Sequence, residues 1–270
     1  MKYITKKFDS LHQYASYLNN AKRSALFELH DQEASKTGDK LFTMTESYEE
    51  ADNLLRFGDR ENLAKLQKMM TSSKVTMKGT GEQIKAETYR SFVGYAPHVP
   101  SFISGQPKTM LRKQKIKTQN SKVLNIIYNP CASANVEADE LLDASITVFD
   151  FINILEKQGY KVNLYTLIAT KKREETVAMI CKIKASDDYT DLAKTVYPMV
   201  HPSFLRRHFF RFIETNENIT ERAFCSGYGV PVYNESDCKN LITQFGVKCD
   251  YYISYYEHQN QINKYKSATR

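Results

Sequence analysis

Apolar positions recur three and four apart through the first quarter of the chain. In "FDSLHQYASYL", Phe8, Leu11, Tyr14 or Ala15 and Leu18 fall near one face, which predicts a helix with one buried stripe. In "TESYEEADNLLRFGDRENLAKLQKMM", Ser47 precedes Glu49 and Glu50, Gly58 supplies a stop and a second helix restarts at Asp59. Residues 1–75 therefore read as a helical appendage. Its hairpin serves either as a partner-docking arm or, on the plainer reading, as a packing element.

The periodicity fades between Thr76 and Asn120, where "GYAPHVPSFISGQPKTMLRKQKIKTQN" carries three prolines and two glycines. This segment reads as a connector. Tyr95, Val99, Phe102, Ile103, Met110 and Leu111 make it too apolar for a free linker, so it is expected to lie against the body.

From Lys122 onward strands and helices alternate. "VLNIIY" predicts a short buried strand, and "EADELLDASITVFDFINILEKQGY" a long helix with Leu141, Leu142, Ile146, Phe149 and Ile152 on its apolar stripe, closed by Gly159. "KVNLYTLIAT" and "TVAMICKIK" are separated by too little chain for a crossover, which predicts an antiparallel hairpin and a mixed sheet. Helical material broken around Pro198 and Pro202 follows, with Ser203 placed to cap a helix from Phe204. Strand "RAFCSGYG", helix "ESDCKNLITQFG" and strand "CDYYISYYE" complete an α/β domain over 121–257, and 258–270 reads as a frayed polar tail.

Composition narrows the class. The 270 residues are rich in Tyr and Phe and poor in Gly and Pro, which argues for a folded chain. The formal net charge of +7 is partly concentrated in one segment and permits an acidic partner. Five widely spaced cysteines with no CxxC pair predict reduced thiols, and the amino terminus lacks the apolar core of a signal peptide. No stretch approaches 18 uninterrupted apolar residues, so no membrane partner is expected and a reducing cytoplasm is.

The order strand, helix, strand, antiparallel strand, helix, strand, helix, strand resembles the von Willebrand factor A domain, a doubly wound α/β fold. In that family the first strand ends in D-x-S-x-S, whose carboxylate and hydroxyls hold a divalent cation. The matching positions here are Asn129, Cys131 and Ser133. The family's second-loop threonine is matched by Ser203 in "HPSFLRR", and its third-loop aspartate falls in "CSGYGVP", which offers Ser226 and Tyr228. An amide replaces the carboxylate and a thiol is a soft ligand, so the resemblance implies a degenerate ion site with no cofactor beyond, at most, weakly held Mg2+. It implies a face at the strand tops that binds a protein partner without catalysis. On the plainer reading Asn129 and Ser133 close the turn and cap the next helix, and Cys131 fills space.

The whole chain is also similar to a family of tailed-bacteriophage proteins with no assigned catalytic activity. The pieces that carry this are "TESYEEADNLLRFGD", "GYAPHVPSFISGQPKTM", "SKVLNIIYNPCASANV" and "YPMVHPSFLRRHFFRFIE". The similarity implies a phage origin and a host or phage protein as partner in the infected bacterial cytoplasm.

A nucleic-acid binder is the second expectation. Lys108, Arg112, Lys113, Lys115, Lys117 and Lys122 occur without an intervening acid, either to meet phosphates or to solvate an edge strand. Arg206, Arg207, His208 and Arg211 interleave with Phe204, Phe209, Phe210 and Phe212, which suits base stacking and phosphate contact. Alternatively Leu205, Phe209 and Phe212 pack inward and leave the arginines in water. No P-loop, HExxH, GxSxG or paired-acid motif appears, so an enzyme ranks third.

Overall fold

The computed structural model describes residues 2–30, 33–72, 85–116, 122–133, 136, 138–187 and 191–268. The chain divides into two compact units, Met1–Met77 with Val123–Arg270, and Lys78–Lys122.

The larger unit is built on a mixed sheet. Strand β1 (Lys2–Phe8) opens the chain, and the excursion holds β2 (Lys85–Ser91), β3 (Ala96–Pro97) and β4 (Met110–Ile116). The body resumes with β5 (Val123–Asn129), β6 (Lys161–Lys172), β7 (Glu175–Lys184), β8 (Val230–Pro231) and β9 (Tyr251–Ser254). The order across the sheet is β1-β7-β6-β5-β9. β5 runs parallel to both β6 and β9, β1 runs parallel to β7, and β6 and β7 form the expected antiparallel hairpin. β8 pairs with β6 at Thr170 and Lys171, beyond the point where β5 ends.

The central strands are apolar on both faces because both are covered. Leu124, Ile126 and Tyr128 of β5 pack with Leu142, Val148, Phe149 and Ile152 of the helix Ala138–Lys157. Ile127 points the other way, into a cluster with Cys238, Leu241 and Ile242 of the helix Glu235–Gln244. A third cluster joins Ile4 and Phe8 of β1 to Tyr14 and Leu18 of the helix Leu11–Asn20 and to Phe204, Phe209 and Phe212.

The first 75 residues are thus not an appendage. Residues 2–8 form a sheet strand, and its seven-residue parallel register with β7 makes the amino terminus part of the core layer. The hairpin is as expected: Ser47 accepts a hydrogen bond from the Glu50 amide, the first helix stops at Gly58, and Asp59 caps the second through the Asn62 amide. The Asp59 amide bonds to the Ala193 carbonyl at 2.9 Å, and Ala51, Leu55 and Leu66 are buried, so the hairpin packs.

Three further expectations are corrected. "RAFCSGYG" is a 3-10 turn, Arg222–Ser226, because Gly227 and Gly229 take φ of 142° and 88°. A Cβ on Gly229 would lie 2.9 Å from the Lys171 carbonyl oxygen, so the chain approaches β6 as only glycine allows. The strand expected there is shifted and cut to the two residues of β8, which pair antiparallel with β6. Residues 258–268 are a helix, anchored by buried Ile262, by the Ser254 amide donating to Gln261 and by Tyr265 donating to the Tyr252 carbonyl. Residues 76–120 contain a three-stranded antiparallel sheet, β2-β4-β3, with the short helix Val99–Ile103 between β3 and β4. All five cysteines are unpaired.

Candidate functional site

β5 sits at the switch point of the larger sheet. Its helical crossover leads to β6 on one side while β9 lies on the other, the place where open α/β sheets bind ligands. The side chains there are spent internally. Asn129 is fully buried; its Nδ2 donates to the Val232 carbonyl (2.8 Å) and Tyr252 Oη (3.1 Å), and its Oδ1 accepts from the Cys131 amide (2.9 Å). It closes the strand turn and ties β5 to the segment after β8. Cys131 is buried, and burial pushes its thiol up to about 12, so it is not a thiolate nucleophile at neutral pH.

The other expected partner-binding residues separate into buried and exposed. Ser203 has helical dihedrals and caps nothing; its Oγ donates to the Thr43 carbonyl (2.5 Å) and lies 2.9 Å from Thr45 Oγ1. Tyr228 is buried, stacks on Phe210 at 3.8 Å and donates to Glu214 (2.6 Å). Ser133 and Ser226 are exposed. The crevice between Pro130–Ala132 and the chain around Met199 and Phe204 has a free volume of about 20 Å³, room for a single water. Among the described residues no three His, Cys, Asp or Glu side chains come together as a metal site. The exposed part of the rim is aromatic: Tyr233 and Tyr256 lie 4.5 Å apart, Tyr255 follows at 5.0 Å from Tyr256, and Tyr256 Oη accepts from the Ser133 amide.

The arginine-rich helix is neither a nucleic-acid surface nor a solvated face. Arg207 is fully buried and reaches five oxygens of the segment 35–45: Nε donates to Thr45 Oγ1 (2.6 Å), one terminal nitrogen to the Ser35 and Lys36 carbonyls (3.1 Å each), the other to the Gly38 (3.0 Å) and Thr45 (2.9 Å) carbonyls. A planar fork with five donors satisfies carbonyls left open at the ends of two one-turn helices, Ala34–Thr37 and Lys40–Thr43. Arg206 donates to the Phe42 carbonyl and stacks 4.6 Å from the Phe42 ring. Arg211 bridges Glu33 at 3.3 Å and donates to the Ala21 carbonyl at 3.1 Å. His208 lies between them, fully buried, with Nδ1 3.0 Å from Tyr197 Oη. Burial, with the charges of His201 and Arg207 adding to it, pushes its imidazole down to about 3.

The excursion is the opposite. Residues 78–122 hold nine Lys and Arg against two Asp and Glu, a balance of +7 that equals the whole chain's. The body is therefore neutral. Tyr89 pairs with Arg112 and Thr88 with Lys113 across the β2–β4 ladder, and cross-strand partners share a face. Lys113 Nζ stands 5.1 Å from the Tyr95 ring centroid and Lys108 Nζ 5.9 Å from that of Phe92. Phe92, Val93, Tyr95, Val99, Phe102 and Ile103 are 56–78% exposed, and Ser101 alone is buried among this unit's residues with described side chains.

The excursion is nevertheless shaped. A Cβ on Gly94 would fall 2.0 Å from the Leu111 carbonyl oxygen, so the β2–β3 turn presses onto β4. Arg90 donates to Ser101 Oγ (3.0 Å) and Gln106 Oε1 (2.6 Å), holding the short helix. His98 caps this helix: its Nδ1 accepts from the Ser101 amide at 3.3 Å and lies 2.7 Å from Ser101 Oγ. The side chain of Lys115 and all of Lys117 lie outside the described residues. Sequence reasoning singled out the lysines but expected Tyr95, Phe102 and Ile103 to be covered; the missed signal is aromatic side chains flanking a cationic run.

Fold and surface together define an α/β protein carrying a cationic, aromatic excursion. The chain belongs to the family DUF7192, described as a domain of unknown function, whose model matches residues 2–270. A shorter likeness links it to the pyrophosphatase PpaX of Bacillus thuringiensis (strain Al Hakam), Bacillus cereus (strain AH820) and Bacillus anthracis (strain A0248). Each is 33% identical over 85 residues, covering 32% of this chain and 38% of the relative. The match thus spans well under half the length of these curated relatives. No solved structure matches.

Proposed function

We propose that the protein is a nucleic-acid-binding protein that meets its ligand through the excursion 78–122. The reading is carried by the charge distribution: the entire +7 excess lies in this unit while the body is neutral. Phosphate contacts supply most of the affinity of such proteins, and Lys and Arg on an exposed antiparallel sheet supply those contacts. Arg112 and Lys113 are both exposed and adjacent on β4. The likeness to PpaX covers 85 residues and brings no activity to this chain.

Fluorescence anisotropy of a labelled oligonucleotide against the intact protein tests the reading. Binding weakens linearly in log–log with salt, and Arg112→Glu with Lys113→Glu flattens that slope by about 1.5. Absence of binding at low salt would refute it.

A second reading keeps protein capture at the strand tops, by a host or phage protein. What favours it is the exposed Tyr233–Tyr256 pair beside Ser133. It asks for loss of partner capture in Tyr233→Ala with Tyr256→Ala, and unchanged capture from infected cells would dismiss it.

A further inference from the structure

We infer that the nucleic acid taken by the excursion is single-stranded, with bases stacked on Phe92, Tyr95 and Phe102. This rests on the reading just given and adds to it the identity of the strand. A duplex presents phosphates outside and keeps its base faces stacked inward, so exposed aromatic rings gain little from it. A single strand offers both a backbone for cations and free base faces for rings. The excursion supplies both in one unit. Phe92, Tyr95 and Phe102 are 67%, 59% and 73% exposed, and two of the three rings have a lysine ammonium within 6 Å of the centroid. Each of these two ammonium groups stands where it can meet a phosphate while the neighbouring ring carries a base.

The rings are held in place for this. Gly94 lets the turn that bears Phe92 and Tyr95 sit directly on the Leu111 carbonyl, and Arg90 ties the helix that bears Phe102 back through Ser101 and Gln106. Exposed rings on an anchored backbone lose little conformational freedom on binding, which is how aromatic platforms gain affinity. The chemistry reads no particular base, because every base has a π face, so weak sequence preference is expected.

The test compares a labelled 20-nucleotide single strand with a duplex of the same sequence, using the full chain and the double variant Phe92→Ala with Tyr95→Ala. Both side chains are exposed, so the variant is expected to keep its fold, which a thermal melt checks. The inference expects tighter binding of the single strand, and at least a tenfold loss of that affinity in the double variant with duplex affinity unchanged. Equal affinity for both forms, untouched by the aromatic substitutions, would overturn the inference and leave charge-driven binding standing. Binding of neither form would overturn both. Capture by phosphatidylglycerol vesicles, with no retention of either oligonucleotide, would assign the patch to a lipid surface and also overturn both.

Discussion

Two segments of this chain look alike on paper: "HPSFLRRHFFRF" and the run from Phe92 to Lys113 both interleave cations with aromatic rings. In the first, the rings pack into the core and Arg207 is fully buried against carbonyls of the segment 35–45. In the second, the same chemistry stands in water around a small sheet whose sole buried residue, among those with described side chains, is Ser101. An arginine is therefore not a surface residue by virtue of its charge. What decides is whether unpaired backbone oxygens elsewhere in the chain need donors. The one-turn helices within 34–43 have such oxygens at their ends, and Arg207 supplies the donors they lack.

The largest expected effect falls on the buried side of that contrast. Arg207→Ala leaves these carbonyls unsatisfied and should cost about 4 kcal/mol of stability in urea unfolding. An unchanged midpoint would show that the clamp is ornamental. Next, Arg112→Glu with Lys113→Glu should lower oligonucleotide affinity about a hundredfold while moving stability by less than about 0.5 kcal/mol. Asn129→Ala should destabilise by about 2 kcal/mol, since it opens three internal hydrogen bonds. Ser133→Ala, at the exposed rim, should stay within about 0.5 kcal/mol. If the two were reversed, the rim rather than the turn would hold the strand tops together.

Acidification sharpens the same comparison. His208 is neutral when folded, with its imidazole pushed down to about 3, and in the unfolded chain it returns to the ordinary value of about 6.5. The unfolded state then binds the extra proton. Its contribution to stability is intact above about pH 6.5 and falls by up to about 1.4 kcal/mol per pH unit between there and about pH 3. His208→Gln should flatten this limb of the unfolding curve. Nucleic-acid affinity over the same range should be unaffected by that substitution, because the histidine lies in the body's core.

Much of the architecture was legible. Ser47, Gly58 and Asp59 mark the helix hairpin by local capping chemistry, and the β6–β7 hairpin follows from a connection too short to cross over. β1 was not legible because its two buried residues, Ile4 and Phe8, are four apart, a spacing that suits both a helix face and alternate strand positions. The closing helix was missed because it buries little, chiefly Ile262 and Gln261, and its anchors reach β9. At the strand tops, residue types gave a fair account of the turn but not of its accessibility. Asn129 and Ser203 look like rim residues until their long-range partners, Val232, Tyr252, Thr43 and Thr45, are in place. The lysines of the excursion were visible in the sequence, whereas the exposure of its rings depended on the small sheet.

The most direct test of the central contrast is a hydrogen-exchange footprint of the full chain with and without a 20-nucleotide single strand. Protection confined to residues 85–116 is the predicted result. Protection over Arg206–Arg211 or the strand-top loops, with none on the excursion, would contradict it.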